Sequence, residues 1–367
     1  MKKLCTRPLR LLENRVWRIY TGGSMMGQWR GRREADDHWP EDWIGSVVTA
    51  NNVTRPGVED EGLSRVDGKA LGFEQDVLLR DLVEQFPEKM LGRRHVQRFG
   101  RQTALLVKAL DAANRLAIQA HPTREDAMRY FGCPFGKTEA WYVLAVRPQM
   151  ERPATVHLGF RDNMTQEKWR GLFESQDVQG MLDALHQVEV HPGDVFLLEG
   201  GVPHAIGEGC FLIEIQEPTD YTFRVERTSP LGLSLREEDC HQGAGFENMF
   251  AMFRYDFLTL EQTLARWKKQ PGTLFAAEAG ELDALLDASD TSCFALWRMQ
   301  VHGSFTPPAD DRFRIAVIIE GEGELETDGD VLSLRQGDSL FLPAALSETV
   351  WRAKNMTVLL CLPPEVK

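Results

Sequence analysis

The chain has 367 residues, 43% of them hydrophobic and 26% charged, and a formal net charge of −13. That length accommodates two domains and a core that needs no disulfide staples. The negative field argues against nucleic acid and anionic membrane surfaces as partners, and no apolar run approaches the roughly 20 residues that span a bilayer.

The N-terminal stretch MKKLCTRPLRLLENRVWRIY begins with basic residues, but Arg7, Arg10 and Glu13 interrupt any apolar core of a leader and no small-residue cleavage site follows. A cytoplasmic protein is expected. Residues 1–72 contain the β-like stretch DWIGSVVTANN, with Val47, Val48 and Thr49, and read as an N-terminal segment that lends strands to a first β-domain. Residues 73–115 read as helical, because DVLLRDLVEQF and QTALLVKALDAANRLA repeat apolar residues at spacings of three and four.

From residue 116 the period changes to two. LAIQAHP, EAWYVLAV, TVHLGF, DVFLLEG, CFLIEIQ and TFRVE are short strands within 116–227, interrupted by the helical piece QEKWRGLFESQDVQGMLDALHQV. Residues 228–275 form a connector with a helix in TLEQTLARWKKQ, and 276–367 return to strands. HPGDVFLLEGGVPHAI is echoed by RQGDSLFLPAALSETV: each has a Gly-Asp turn, a short apolar strand and a second turn. Two β-barrels of related design account for the echo. The six cysteines, at 5, 133, 210, 240, 293 and 361, form no C-x-x-C pair and read as reduced packing residues.

The chemistry concentrates in 116–227. Alternation puts Gln119 and His121 on one strand face, and Lys137, Glu139 and Trp141 on another. Gly201-Val202-Pro203 turns the chain so that His204 points back toward them. Two imidazoles, a carboxylate and an amide oxygen suit a borderline divalent ion such as Zn²⁺. Each has an ordinary alternative: His121 as a hydrogen-bonded core residue, Glu139 as a surface charge, His204 as a turn residue. Taken together they are polar groups on otherwise apolar strands, and a shared ion avoids leaving each unsatisfied at roughly 1–3 kcal/mol. On pattern alone Arg224 reads as a barrel-rim salt bridge. Glu214 and Gln216 read equally as partners that orient ligands or as a plain polar face. Trp141 reads as packing.

LAIQAHP, GKTEAWYVL, GDVFLLEGGVPHAIG and EIQEPTDYTFRV, in this order and spacing, resemble the cupin-type class I mannose-6-phosphate isomerases, especially their shorter bacterial forms. The early DDHWPEDWIGSVV and EGLSRV, and the late RIAVIIEGEGELE and GDSLFLPA, resemble further segments of that family. The resemblance implies a mainly β fold of two cupin (jelly-roll) β-barrels, with the helical segment inserted before the metal-binding strands. It implies one Zn²⁺ per chain on Gln119, His121, Glu139 and His204. It places Lys137 and Arg224 at the family's basic active-site positions, and it implies interconversion of mannose 6-phosphate and fructose 6-phosphate through an enediolate. The base stays open among Glu214, a metal-bound water and a histidine. The second barrel has Ser347 and Ala345 where ligand and glycine would stand, and is expected to be metal-free. Departures lie at Glu199, where cupins usually have proline, in Arg224-Val225-Glu226-Arg227, and in a fuller N-terminal stretch, NRVWRIYTGGSMMGQWRG. They leave open an isomerase or epimerase for another sugar, or a non-catalytic metal-bearing sugar-binding cupin. The oligomeric state is not legible.

Overall fold

The computed structural model describes residues 4–52, 58, 60–148, 150–328 and 330–366. Three antiparallel sheets make up most of it. A seven-stranded sheet runs in the spatial order Lys268–Lys269, Val195–Leu198, Glu139–Val146, Cys210–Gln216, Leu106–Asp111, Glu41–Ile44, Arg15–Val16. A five-stranded sheet runs Leu185–Glu189, Thr155–Phe160, His204–Ile206, Gln119–Ala120, Phe223–Arg224. The side chains of these two sheets meet in a shared interior. A nine-stranded sheet from the C-terminal part is built around the long strands Arg314–Thr327 and Val350–Leu362.

One core joins the two halves. Val107, Ala109, Tyr142 and Ile213 of the seven-stranded sheet share a buried cluster with Leu296, Ile315, Val317 and Leu359 of the nine-stranded sheet. The other face of the C-terminal sheet surrounds its own apolar filling, including Met299, Ile318, Leu325, Trp351 and Leu360. That interior has no cluster of histidines and carboxylates among the described residues.

Several expectations need correction. Helices Leu79–Gln85, Pro87–Leu91 and Arg93–Phe99 fill only the first part of 73–115, and Leu106–Asp111 is a strand with every residue buried. This strand packs on both faces, so it reads as a continuous apolar run that periodicity cannot distinguish from a buried helix. The strand Leu185–Glu189, read as the end of a helix that stops at Asp183, escaped for another reason: buried and exposed residues alternate from His186 to Glu189, but the run is too short to break the helical reading that precedes it. Near the N-terminus the strand is Glu41–Ile44, and Val47–Thr49 lie outside it because Gly45 turns the chain with φ of 64°. Residues 1–72 also divide: Arg15–Val16 and Glu41–Ile44 join the seven-stranded sheet, whereas Leu9–Arg10 pairs with Ser339–Leu342 in the C-terminal one.

Candidate metal centre and active site

Register aligns the polar residues. On the five-stranded sheet, His204 lies opposite Gln119, which lies opposite Arg224. On the facing sheet, one row runs Trp141, Glu214, Lys108, Trp43, and the next places Glu139 beside Gln216. Since side chains two apart share a face, both rows look into the same interior.

The loop before His204 is pressed onto the loop after His121. Gly201 N–H donates to the His121 carbonyl at 2.7 Å. A Cβ on Gly200 would stand 2.7 Å from the Pro122 carbonyl oxygen, so this approach requires glycine.

Three groups converge there. The ligand atoms of His121, Glu139 and His204 lie within 4.8 Å of one another. His121 Nε2 is 3.1 Å from Glu139 Oε2, and His204 Nε2 is 3.2 Å from Glu139 Oε1. His121 Nδ1–H donates to the Tyr221 carbonyl and His204 Nδ1–H to the Val202 carbonyl, each at 2.9 Å. In the neutral rings this leaves the Nε2 lone pairs turned toward the carboxylate. Burial and the Lys137 charge push His121 down to about 3, against the pull of Glu139, so its ring is neutral at physiological pH.

Lone pairs facing lone pairs at this distance require a cation between them. Lys137 supplies one charge, its Nζ 2.9 Å from His121 Nε2 and 3.0 Å from Glu139 Oε2. Burial would raise the Glu139 carboxyl, but Lys137 and His121 hold it well below the usual range. Even so, Glu139 Oε2 is buried and accepts no well-aligned hydrogen bond. The Gln119 amide lies 3.3 Å from His204 Nε2, and rotated by half a turn it presents its oxygen there. Two oriented imidazoles, an under-satisfied carboxylate and an amide fit a divalent ion of borderline softness.

Beside this cluster lies a cavity lined by Arg18, Tyr20, Lys108, Glu214, Asp220 and Arg224, with Gln119 and Lys137 also in its lining. Glu41 Oε2 is 2.9 Å from Arg18, and Glu41 Oε1 accepts from the Tyr20 hydroxyl at 2.7 Å. Burial notwithstanding, Arg18 and Lys108 bring the Glu41 carboxyl down to about 2. Lys108 Nζ is 3.0 Å from Glu214 Oε1. Burial raises the Glu214 carboxyl, Lys108 opposes the rise and Glu139 adds to it. Arg224 differs from the rest. Its Nη1 donates to the carbonyls of Asp239 at 2.8 Å and Thr222 at 3.4 Å, and no carboxylate lies within 4.0 Å among the described residues.

All six residues singled out from the sequence thus lie at this one place: four around the cluster, Lys137 on it and Arg224 in the adjoining cavity. The barrel-rim salt bridge that pattern favoured for Arg224 is not formed among the described residues. Arg18, Tyr20, Glu41, Lys108 and Asp220 were missed. Lys108 carries a usable signal, a lone charge inside LLVKAL, but the helical reading of that stretch concealed it.

Comparisons with known proteins bear on the fold and the family. Residues 63–145 match the family model of the phosphomannose isomerase type I catalytic domain, and residues 288–351 match that of the mannose-6-phosphate isomerase cupin domain. Both matched segments are domains of the type I phosphomannose isomerase family. Among curated relatives of this family, the mannose-6-phosphate isomerase ManA of Bacillus subtilis (strain 168) is 25% identical over 75% of the chain and 81% of its own length. The crystal structure of the mannose 6-phosphate isomerase from Bacillus subtilis superposes with a TM-score of 0.74 at 21% identity, covering 96% of this chain and 99% of that one. A mannose 6-phosphate isomerase crystallised with zinc and yttrium superposes at 0.69 with 17% identity, over 98% and 100% of the two chains. The mainly β, cupin-type fold expected from the sequence stands on these matches.

Proposed function

We propose that the chain is a metal-dependent aldose–ketose isomerase that interconverts mannose 6-phosphate and fructose 6-phosphate, with one Zn²⁺ per chain held by Gln119, His121, Glu139 and His204. The observation that carries this reading is the junction of two features: lone pairs converging on one point, and a cavity whose Arg224 guanidinium has no carboxylate partner among the described residues. A bound divalent ion would polarise the sugar carbonyl and stabilise negative charge on its oxygen.

The remaining work falls to the chain's own side chains. Isomerisation moves a proton between C1 and C2. Glu214 lines the cavity, and its raised carboxyl suits a group that accepts a proton and returns it. Lys137, which lines the cavity beside Glu139, adds positive charge next to the developing enediolate. Arg224 presents open donors to the same cavity and suits a phosphate, since guanidinium binds such groups bidentately. In a chain of net charge −13, this local set of cations is what admits an anionic sugar. A cytoplasmic location fits such a substrate, and no helix among the described residues is long and apolar enough to cross a membrane.

The test is a coupled assay of mannose 6-phosphate turnover, with Arg224→Ala alongside. Arg224→Ala should raise KM at least tenfold for loss of a charged hydrogen bond of about 1.5–3 kcal/mol, with zinc content unchanged. Full turnover by Arg224→Ala would refute the role given to it, and absence of turnover in the zinc-loaded parent would refute the reaction.

A further inference from the structure

The fuller N-terminal stretch delivers a charge to the cavity that the reaction above does not use. Its path is fixed at three points. Arg18 N–H donates to the His38 carbonyl at 2.9 Å, Thr21 N–H to Asn114 Oδ1 at 2.9 Å, and Gly23 N–H to Asp111 Oδ2 at 2.7 Å. Between these anchors the Arg18 side chain enters the cavity, and the residue is 7% exposed. Its Nε is 2.9 Å from Glu41 Oε2, its Nη1 donates to Asn52 Oδ1 at 2.8 Å, and its Nη2 lies 3.3 Å from both oxygens of Asp220. The guanidinium also stands over the Trp43 ring, 5.1 Å from its centre.

Asp220 therefore faces a choice of cations. It is paired with Arg18, and its Oδ2 accepts from Asn51 N–H at 2.8 Å. Its negative charge also acts on Arg224 and Lys108. Yet Arg224 has only backbone carbonyls on Nη1, and no side chain among the described residues accepts from its Nε or Nη2. A carboxylate this enclosed seeks a cation, and a guanidinium is its preferred partner. With Arg18 absent, Arg224 is the guanidinium left in the cavity.

We propose that Arg18 is a positioning residue: by holding Asp220, it keeps that carboxylate off Arg224 and leaves the Arg224 guanidinium open to the phosphate of the substrate. This inference rests on the sugar-phosphate reading of the cavity and names the device that keeps the anion site open. It also gives the fuller N-terminal stretch a function in substrate affinity rather than in the proton transfer itself.

The probe is sorbitol 6-phosphate, a hexitol phosphate that has no carbonyl to isomerise. It is titrated calorimetrically into the full-length zinc-loaded protein. Arg18→Met should weaken binding by about tenfold or more, with zinc content unchanged and KM affected more than kcat. Arg18→Met/Asp220→Asn should recover most of the affinity, because the competing carboxylate charge is gone. A double variant as weak as Arg18→Met, or an Arg18→Met that binds like the parent, overturns the proposal. If Arg18→Met does not fold, Asp220→Asn alone decides. Binding equal to or tighter than the parent supports the proposal, and a tenfold loss overturns it. Failure of the sugar-phosphate reading looks different: the parent would then neither bind sorbitol 6-phosphate nor turn over mannose 6-phosphate, and both conclusions fall together.

Discussion

Lys137 and a metal ion address the same two atoms, and this makes the stability of a Lys137→Met variant depend on zinc. The ammonium lies 3.0 Å from Glu139 Oε2 and 2.9 Å from His121 Nε2, and the two side chains of the ion pair are 4% and 1% exposed. At that separation, with an effective dielectric constant of ~20, the attraction is about 5 kcal/mol. Breaking a buried pair by removing one partner typically costs about 3–5 kcal/mol, because the other charge is left without compensation. Methionine keeps most of the volume, so little of the loss should come from packing. In chelator, Lys137→Met should therefore lose about 3–5 kcal/mol. In zinc, the ion supplies the positive charge beside Glu139, and the loss should shrink to about 1 kcal/mol. For the parent, zinc at a hundredfold over its dissociation constant should add about 2.7 kcal/mol. Urea unfolding of both proteins, each with chelator and with zinc, measures all four stabilities. An equal loss in both conditions would refute the idea that ammonium and metal share this point.

Three further outcomes are expected. Glu214→Gln should keep the fold and the zinc while turnover falls about a hundredfold or more, the range for losing a general acid–base group; unchanged kcat in a coupled assay would remove Glu214 from proton transfer. His157, 9% exposed, is pushed down to about 4 by burial first, with Arg115 adding to the effect. The unfolded chain then binds a proton between pH 6.5 and 4 that the folded chain does not. Stability should fall by up to about 3 kcal/mol as pH drops through that window. His157→Gln should flatten this fall in urea titrations at pH 7 and pH 4.5, and an unaltered pH slope would contradict the assignment. Leu360→Ala, in the apolar filling of the C-terminal sheet, should cost about 2–5 kcal/mol without changing zinc per chain; loss of zinc in folded protein would show that this half takes part in the metal site.

The metal cluster was legible in the sequence because its charged and amide residues stand out on short strands that are otherwise apolar and buried. Glu139–Val146 and Cys210–Gln216 were recognised for that reason. Leu106–Asp111 was not: packing against both halves makes its two faces equally apolar and erases the period. The cost was Lys108, whose pairing with Glu214 crosses two strands. Arg18 was hidden for a different reason. It lies just beyond the two-residue strand Arg15–Val16, and no local pattern announces that its partners are Glu41 and Asp220. Arg224 was visible only through family resemblance. Its placement depends on the short pairing of Phe223–Arg224 with Gln119–Ala120, a contact between residues more than a hundred positions apart.

The central claim is one catalytic metal, held in the N-terminal half, acting on a phosphorylated aldose. Its most direct test is to measure bound metal per chain and the rate of mannose 6-phosphate to fructose 6-phosphate conversion on the same samples, before chelation, after it, and after zinc is restored. The account predicts one zinc per chain, loss of turnover with the metal and recovery with it. Turnover that persists in metal-free protein, or zinc-loaded protein that leaves mannose 6-phosphate unchanged, would contradict it.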